Sequence, residues 1–509
     1  MQPDMSWVGV LEHHARRTPD KPIAVCGDDV MTYRGMLDQA SALAAGLAAR
    51  GVGAGDVVGL LSYNSIEFLT TVFAANYLGA VAMPINWRLA AEEVRFILDH
   101  SRARALVCDD ALVGLATAAA GRLEGDDLVR VCVTGEAPEG WERFGDLLTG
   151  APAVPRAAVA GDDTHRLMYT SGTTGRPKGV MLTHANLAWK NYAHVAEMGF
   201  TSDDVGLACG PLYHVGARDL GTTAMIAVGA TTVIHRAVDA AAVVDEIERS
   251  GVTAMWAAPA MVRAILDVPG IERRDLSSVE VIIAGGEKMP IPTIERIRST
   301  FPSAWFADAY GLTETVSGDT FLDRDSTVTK LGSVGRPCQY LELDIWDESG
   351  ASLPAGERGE VVLRGPKVFK GYWRDPEATA KAFAGGWFHT GDIGVRDDDG
   401  FVYIVDRLKD MIVSGGENIA SSEVERAIYE HASVVEAAVV GRPDERWGEV
   451  PVAFVVVSPG ASTTPGELVE HCRGLLGKYK VPKDVVLVEA LPRNPSGKVL
   501  KRELRGRTP

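Results

Sequence analysis

An α/β protein in more than one domain is what this sequence predicts: a large body of parallel sheets covered by helices, followed by a small α+β domain. Three observations point there. The 509 residues exceed what one hydrophobic core usually holds and suggest about three core-sized units. Helical and strand-like segments alternate early in the chain, as they do where crossover helices cover parallel strands. Roughly the last hundred residues form a compact set of helices and strands, enough for a separate small domain.

In order, residues 33–50 have helical apolar spacing and stop at Gly51. Residues 57–61 read as a buried strand, 65–77 as a helix, 80–84 as a strand, 90–100 as a helix and 105–108 as a strand. The Ala/Pro/Gly-rich residues 150–161 read as a connector. A β-rich region covers 359–406. The small unit then reads as a helix at 421–431, strands at 434–440 and 450–457, a helix at 465–476 and a strand at 485–488. The boundary falls near residues 407–410, giving domains of 1–407 and 408–509.

Composition is that of a folded soluble protein, with 46% apolar and 23% charged residues. No apolar run approaches the roughly 18 residues of a spanning helix. Glu12, Arg16, Arg17, Asp20 and Lys21 interrupt the place where a secretory leader would carry its apolar stretch. A cytoplasmic enzyme is expected. The six cysteines form no CxxC pair and are read as reduced and structural. The net charge of −17 argues against a nucleic-acid partner. Residues 471–509 nevertheless carry ten Lys/Arg against three Asp/Glu. That end is either a solvated basic face or a mobile basic module closing over an anionic ligand.

The most informative stretch is 169–179, Y-T-S-G-T-T-G-R-P-K-G. Gly172, Gly175 and Gly179 let backbone approach a ligand. Thr170, Ser171, Thr173 and Thr174 offer hydroxyls, and Lys178 a cation, as a polyphosphate requires. No G-K-[ST] closes the loop and a strand follows it, so it is not a Walker A motif. The string resembles the phosphate loop of the adenylate-forming superfamily, which includes acyl-CoA synthetases, luciferases and the adenylation domains of peptide synthetases. The resemblance runs from the early L-E-H-H-A-R-R-T-P-D-K-P-I-A-V to the final P-S-G-K. It implies a large N-terminal domain of two αβ subdomains and a distorted β-barrel, with a mobile C-terminal domain. It further implies that a carboxylic acid and ATP give an acyl-adenylate, which then passes to coenzyme A.

Residue roles follow from the same resemblance. In D-A-Y-G-L-T-E, Asp308 faces the adenine amino group, Tyr310 flanks the ring, Thr313 contacts phosphate and Glu314 holds Mg²⁺. Asp392, in H-T-G-D, accepts the ribose hydroxyls, with Arg407 as a second contact and Lys409 at the hinge. Lys498 bridges the carboxylate and α-phosphate in the transition state. Gly415 and Gly416 line a pantetheine tunnel walled by Trp447, while Tyr479, Lys483 and Arg88 grip the remainder of CoA. His214, in P-L-Y-H-V-G, gates the acyl and thiol tunnels. The acyl pocket is lined by Ala193, Val215, Gly216, Trp256, Ala284, Gly285, Ala309 and Ser317. Arg218 pairs with Asp219, faces solvent, or meets a second carboxylate on the substrate.

Trp256 at the far wall favours an aryl or short-to-medium-chain acid. The alternatives are a long-chain ligase, an enzyme loading a carrier-protein thiol, a luciferase-like oxygenase, or a non-catalytic nucleotide binder. The chain has P-L-Y-H where amino-acid adenylation domains have F-D-x-S. It also keeps both Glu314 and Lys498. A homodimer is compatible with the sequence.

Overall fold

The computed structural model describes residues 4–121, 128–133, 135–170, 177–285, 289–407, 410–414, 417–444, 446–493 and 498–507, leaving aside the side chains of 407, 417 and 418. Long buried apolar segments form strands, and the amphipathic segments between them form covering helices. Val57–Leu61, buried at every residue, lies between parallel neighbours Val81–Pro84 and Ala103–Cys108. Such a strand has no solvent face, so its sequence does not alternate. Helix Ile66–Tyr77 starts where Ser65 Oγ accepts the Phe68 N–H at 3.1 Å. Helix Ala91–Ser101 stops at Arg102, which adopts a left-handed conformation (φ 56°). The chain therefore enters strand Ala103–Cys108 two residues earlier than the sequence suggests.

Among the described residues the first sheet has eight strands, with Val81–Pro84 and Val57–Leu61 at its centre and the hairpin Thr164–Thr170/Lys178–Thr183 toward one edge. The second has nine; Trp305–Tyr310, Val281–Gly285, Ala254–Trp256, Val205–Ala208 and Thr231–Ile234 run parallel through its middle. One apolar cluster extends between these two sheets, reaching from Trp7 and Phe68 to Trp256 and Ala309. A third sheet joins Glu342–Trp346, Arg358–Arg364, Phe388–Arg396 and Val402–Arg407. Among the described residues it is an open antiparallel path with no closed barrel.

The C-terminal unit has its own five-stranded sheet and core, including Ile412, Val424, Val439 and Leu468. Its helices Ser421–Tyr429 and Pro465–Leu475 match the expected positions to within two residues. Thr464 and Glu467 form a reciprocal cap at the start of the second helix. All six cysteines are free, five of them buried. No helix among the described residues is long and apolar enough to cross a membrane.

Candidate active site

Open parallel sheets bind ligands at the carboxyl ends of their strands. In the second sheet, Trp256, Gly285 and Tyr310 terminate three adjacent strands. Beyond Tyr310 the chain folds back sharply. A Cβ at Gly311 would lie 2.3 Å from Gly318 N, so only glycine permits this approach. Val316 and Ser317, both non-glycine, take left-handed φ values of 57° and 66°. Each such residue costs about 1–3 kcal/mol and persists only where its surroundings enforce it. Here Lys367 Nζ donates to Ser317 O (2.8 Å) and Gly318 O (2.6 Å) and lies 2.9 Å from Asp319 Oδ1. Thr315 Oγ1 donates to Asp319 Oδ2 at 2.6 Å.

This fold-back presents Thr313 and Glu314. Glu314 Oε1 accepts the Tyr372 hydroxyl at 3.0 Å, and Lys178 Nζ lies 4.8 Å from the centre of the Tyr372 ring. Burial and the Glu314 charge push the Tyr372 phenol up. Tyr372 is there because Gly371–Tyr372 pairs with Met181 and Val180. The phosphate-loop lysine, a tyrosine and the expected Mg²⁺ carboxylate thus form one stack. Thr170, at the end of its strand, pairs with Lys178. At the other end of the site Tyr310 Oη donates to Asp392 Oδ2 at 2.7 Å, and Asp392 is 4% exposed. Burial, chiefly, and that carboxylate hold the Tyr310 phenol well above its ordinary range. Asp392 and Arg407 are register partners on neighbouring strands. Asp308 is buried, and its carbonyl accepts the Leu322 N–H at 2.9 Å. Ser171, Gly172, Thr173, Thr174, Gly175, Lys409, Gly415 and Gly416 lie outside the described residues, as does the Arg407 side chain.

His214 is half-buried in the same region. Its Nδ1 accepts the Gly216 N–H at 3.1 Å. Burial and then the nearby Lys498 charge push its imidazole down to about 4, so the ring is neutral at pH 7. Lys498 is therefore within electrostatic reach of His214, although 284 positions separate them in the chain. The His214 and Trp256 rings stand 6.4 Å apart.

Trp256, 6% exposed, rests on two glycines. A Cβ on Gly216 would come within 2.5 Å of the indole, and one on Gly210 within 2.7 Å. Ala193, Val215 and Ala309 share the Trp256 layer, and Ser317 is buried. A Cβ at Gly285 would meet Ala309 O at 2.4 Å. Ala284 departs from expectation. Strand side chains alternate between faces, and Ala284 packs on the opposite layer with Met255, Ile282 and Phe306. Arg218 also departs from two of its expected placements. It is 2% exposed, so it does not face solvent, and Asp219 is instead bridged by Arg166.

The described residues expected to hold CoA, Trp447, Tyr479, Lys483 and Arg88, are exposed. Trp447 is 43% and Tyr479 47% exposed, with Arg446 and Lys480 over their respective rings. Asp444 Oδ1 accepts the Trp447 N–H at 3.0 Å, and the Lys483 charge helps hold the Asp444 carboxyl low. Arg88 stacks at 4.8 Å on Trp87, which packs against Tyr63 and Tyr213. Arg236, not anticipated from the sequence, stacks on Tyr63 at 4.8 Å and pairs with Asp109 at 2.8 Å. Tyr372 was likewise not anticipated; the aromatic G-Y-W string before Arg374 was its only signal.

Comparison with known proteins accords with this geometry. The sequence model described as AMP-binding enzyme matches residues 11–373, and that of the AMP-binding enzyme C-terminal domain matches 423–498. A feruloyl-CoA synthase of Amycolatopsis is 40% identical over 494 residues, covering 97% of both chains. A long-chain-fatty-acid–CoA ligase of Mycobacterium tuberculosis is 38% identical, covering 93% of this chain and 92% of its own. The Bacillus subtilis o-succinylbenzoate CoA synthetase, solved with its acyl-adenylate intermediate, superposes with a TM-score of 0.88. It is 31% identical, over 99% of this chain and 98% of its own.

Proposed function

This chain belongs to the AMP-binding enzyme family, and from that premise we propose how its residues carry out the ligation of a carboxylic acid to coenzyme A. The reaction is AMP-forming. The carboxylate oxygen attacks the α-phosphorus of ATP and pyrophosphate leaves. The CoA sulfur then attacks the acyl carbonyl, the bond to the adenylate oxygen breaks, and AMP leaves. The first step brings like charges together, so fixed cations and donors lower its barrier. In our reading Lys498 neutralises the meeting carboxylate and α-phosphate, Lys178 binds the outgoing phosphates, and Asp392 with Arg407 holds the ribose. The observation that supports this most strongly is the phosphate-end stack, in which Lys178 lies 4.8 Å over the Tyr372 ring and the Tyr372 hydroxyl donates to Glu314 at 3.0 Å.

Magnesium fits the residues present. No group of three or more His, Cys, Asp or Glu side chains among the described residues could hold a metal. Mg²⁺ is commonly bound by one or two carboxylates together with substrate phosphates and water. Glu314 supplies that carboxylate, and the ion, when bound, would draw charge from the phosphates.

We place the domain boundary after Arg407, with the C-terminal domain rotating between half-reactions. The acid is aryl or short-to-medium chain, because the Trp256 indole occupies the depth an extended tail would need. Each methylene excluded is worth about 1–3 kcal/mol, so selectivity should be graded. Turnover with a benzoate, cinnamate, octanoate and palmitate series should release AMP and pyrophosphate, falling off toward palmitate. Trp256→Ala should move the optimum to longer acids with the KM for ATP nearly unchanged. Release of ADP would refute the adenylation chemistry. A native preference for palmitate would instead favour the long-chain reading and leave Trp256 to the core.

A further inference from the structure

Arg218 lies within a π-helical turn, Gly216–Thr222, one turn beyond His214, whose carbonyl accepts the Arg218 N–H at 3.2 Å. Such turns frequently mark functional sites. Its guanidinium is buried, and Nη1 has no hydrogen-bond acceptor. Among the described residues it has no ion-pair partner. The neighbouring carboxylate, Asp219, is held by both guanidinium nitrogens of Arg166, at 3.0 and 2.6 Å. The Asp219 carbonyl receives Lys190 Nζ. Two buried guanidinium groups, Arg166 and Arg218, therefore share one carboxylate, and burial pushes the Lys190 ammonium down to about 7. The Phe68 ring centre lies 5.9 Å from the Arg218 guanidinium. A buried charge with no counterion is strongly disfavoured, and proteins pair such groups.

A second buried donor without a partner lies against the start of the same turn. Trp256 Nε1 is buried with no partner, and the indole lies against Gly216, the first residue of the same turn. Arginine and indole N–H groups donate and cannot accept. A group that satisfies either donor must be an acceptor, and the buried guanidinium selects an anionic one. We propose that Arg218 binds a second carboxylate on the acid, so that the preferred substrates are dicarboxylic. This assignment rests on the acid–CoA ligase reading above. It adds a specificity determinant one turn beyond His214.

The test compares acids matched in length but differing at the far end: 4-carboxycinnamate with 4-methylcinnamate, and suberate with octanoate. The wild-type enzyme should favour the diacid of each pair by about tenfold or more in kcat/KM, since leaving a built polar site unpaired is heavily penalised. Arg218→Met, similar in length but uncharged, should lose that preference through KM for the diacid, leaving the KM for ATP and turnover of the methyl acids near wild type. Arg218→Lys should restore part of it. Should Arg218→Met fail to fold, the wild-type comparison decides alone. Equal use of both members of each pair, or a preference for the methyl acids, overturns the assignment while the ligase activity stands. Equal loss toward both members in a folded Arg218→Met also overturns it, marking a purely structural arginine. Absence of AMP release from every acid would remove the ligase reading and this assignment with it.

Discussion

Lys498→Ala should lower acyl-adenylate formation by about 10²–10³-fold or more, the range seen when one preorganised charge-stabilising donor is lost. The same variant should convert supplied acyl-adenylate to the thioester at a rate near wild type. Lys498 neutralises charge where carboxylate and α-phosphate meet, and that need ends once the P–O bond has formed. In the present arrangement its charge is felt at His214, beside the acyl pocket. Pyrophosphate release reads the first step, and thioester absorbance after addition of synthetic adenylate and CoA reads the second. Equal impairment of both steps would mean that Lys498 holds the domain in place rather than stabilising the first transition state.

Glu314→Gln should reduce adenylation by about 10²-fold at fixed Mg²⁺, on the scale of losing one preorganised electrostatic contact. Part of the loss should be recovered as Mg²⁺ is raised. The amide keeps the shape of the carboxylate and a carbonyl acceptor for the Tyr372 hydroxyl, now 3.0 Å away. What it removes is the charge that a hard cation prefers. Tyr372→Phe should have a smaller effect, because it removes only the hydrogen bond and keeps the ring beneath Lys178. Titrating Mg²⁺ against the initial rate of pyrophosphate release separates the cases. A Glu314→Gln rate deficit that does not respond to Mg²⁺ would place the carboxylate's role elsewhere.

Much of the architecture was legible because local signals coincide with element ends. Ser65 and Thr464 mark helix starts by capping, and Val57–Leu61 reads as a buried strand by composition alone, whereas the left-handed Arg102 gives no such signal and the strand after it begins two residues early. The nucleotide residues were legible as motifs, since short strings hold Asp308, Tyr310, Thr313 and Glu314 in fixed order. What escaped depends on distant pairing. Tyr372 reaches Glu314 only because Gly371 pairs with Met181, 190 positions earlier. Ala284 looks like a pocket residue by proximity to Gly285, but strand alternation turns its side chain to the other face. Arg218 follows the same logic. Adjacent in sequence to Asp219, it loses that carboxylate to Arg166 from the other large sheet.

The seating of Trp256 on Gly210 and Gly216 also constrains how this pocket can diverge. Enlarging either glycine while the indole remains forces overlap, so such a change is harmful on the present background. Once position 256 carries a small residue, the same change becomes tolerable or even fills the vacated space. The sign of a mutation at 210 or 216 thus depends on the residue at 256, and neighbours in contact are where additivity fails. Descendants of this sequence would reach a deeper or differently shaped pocket in a preferred order, with the tryptophan changing first and the glycines following.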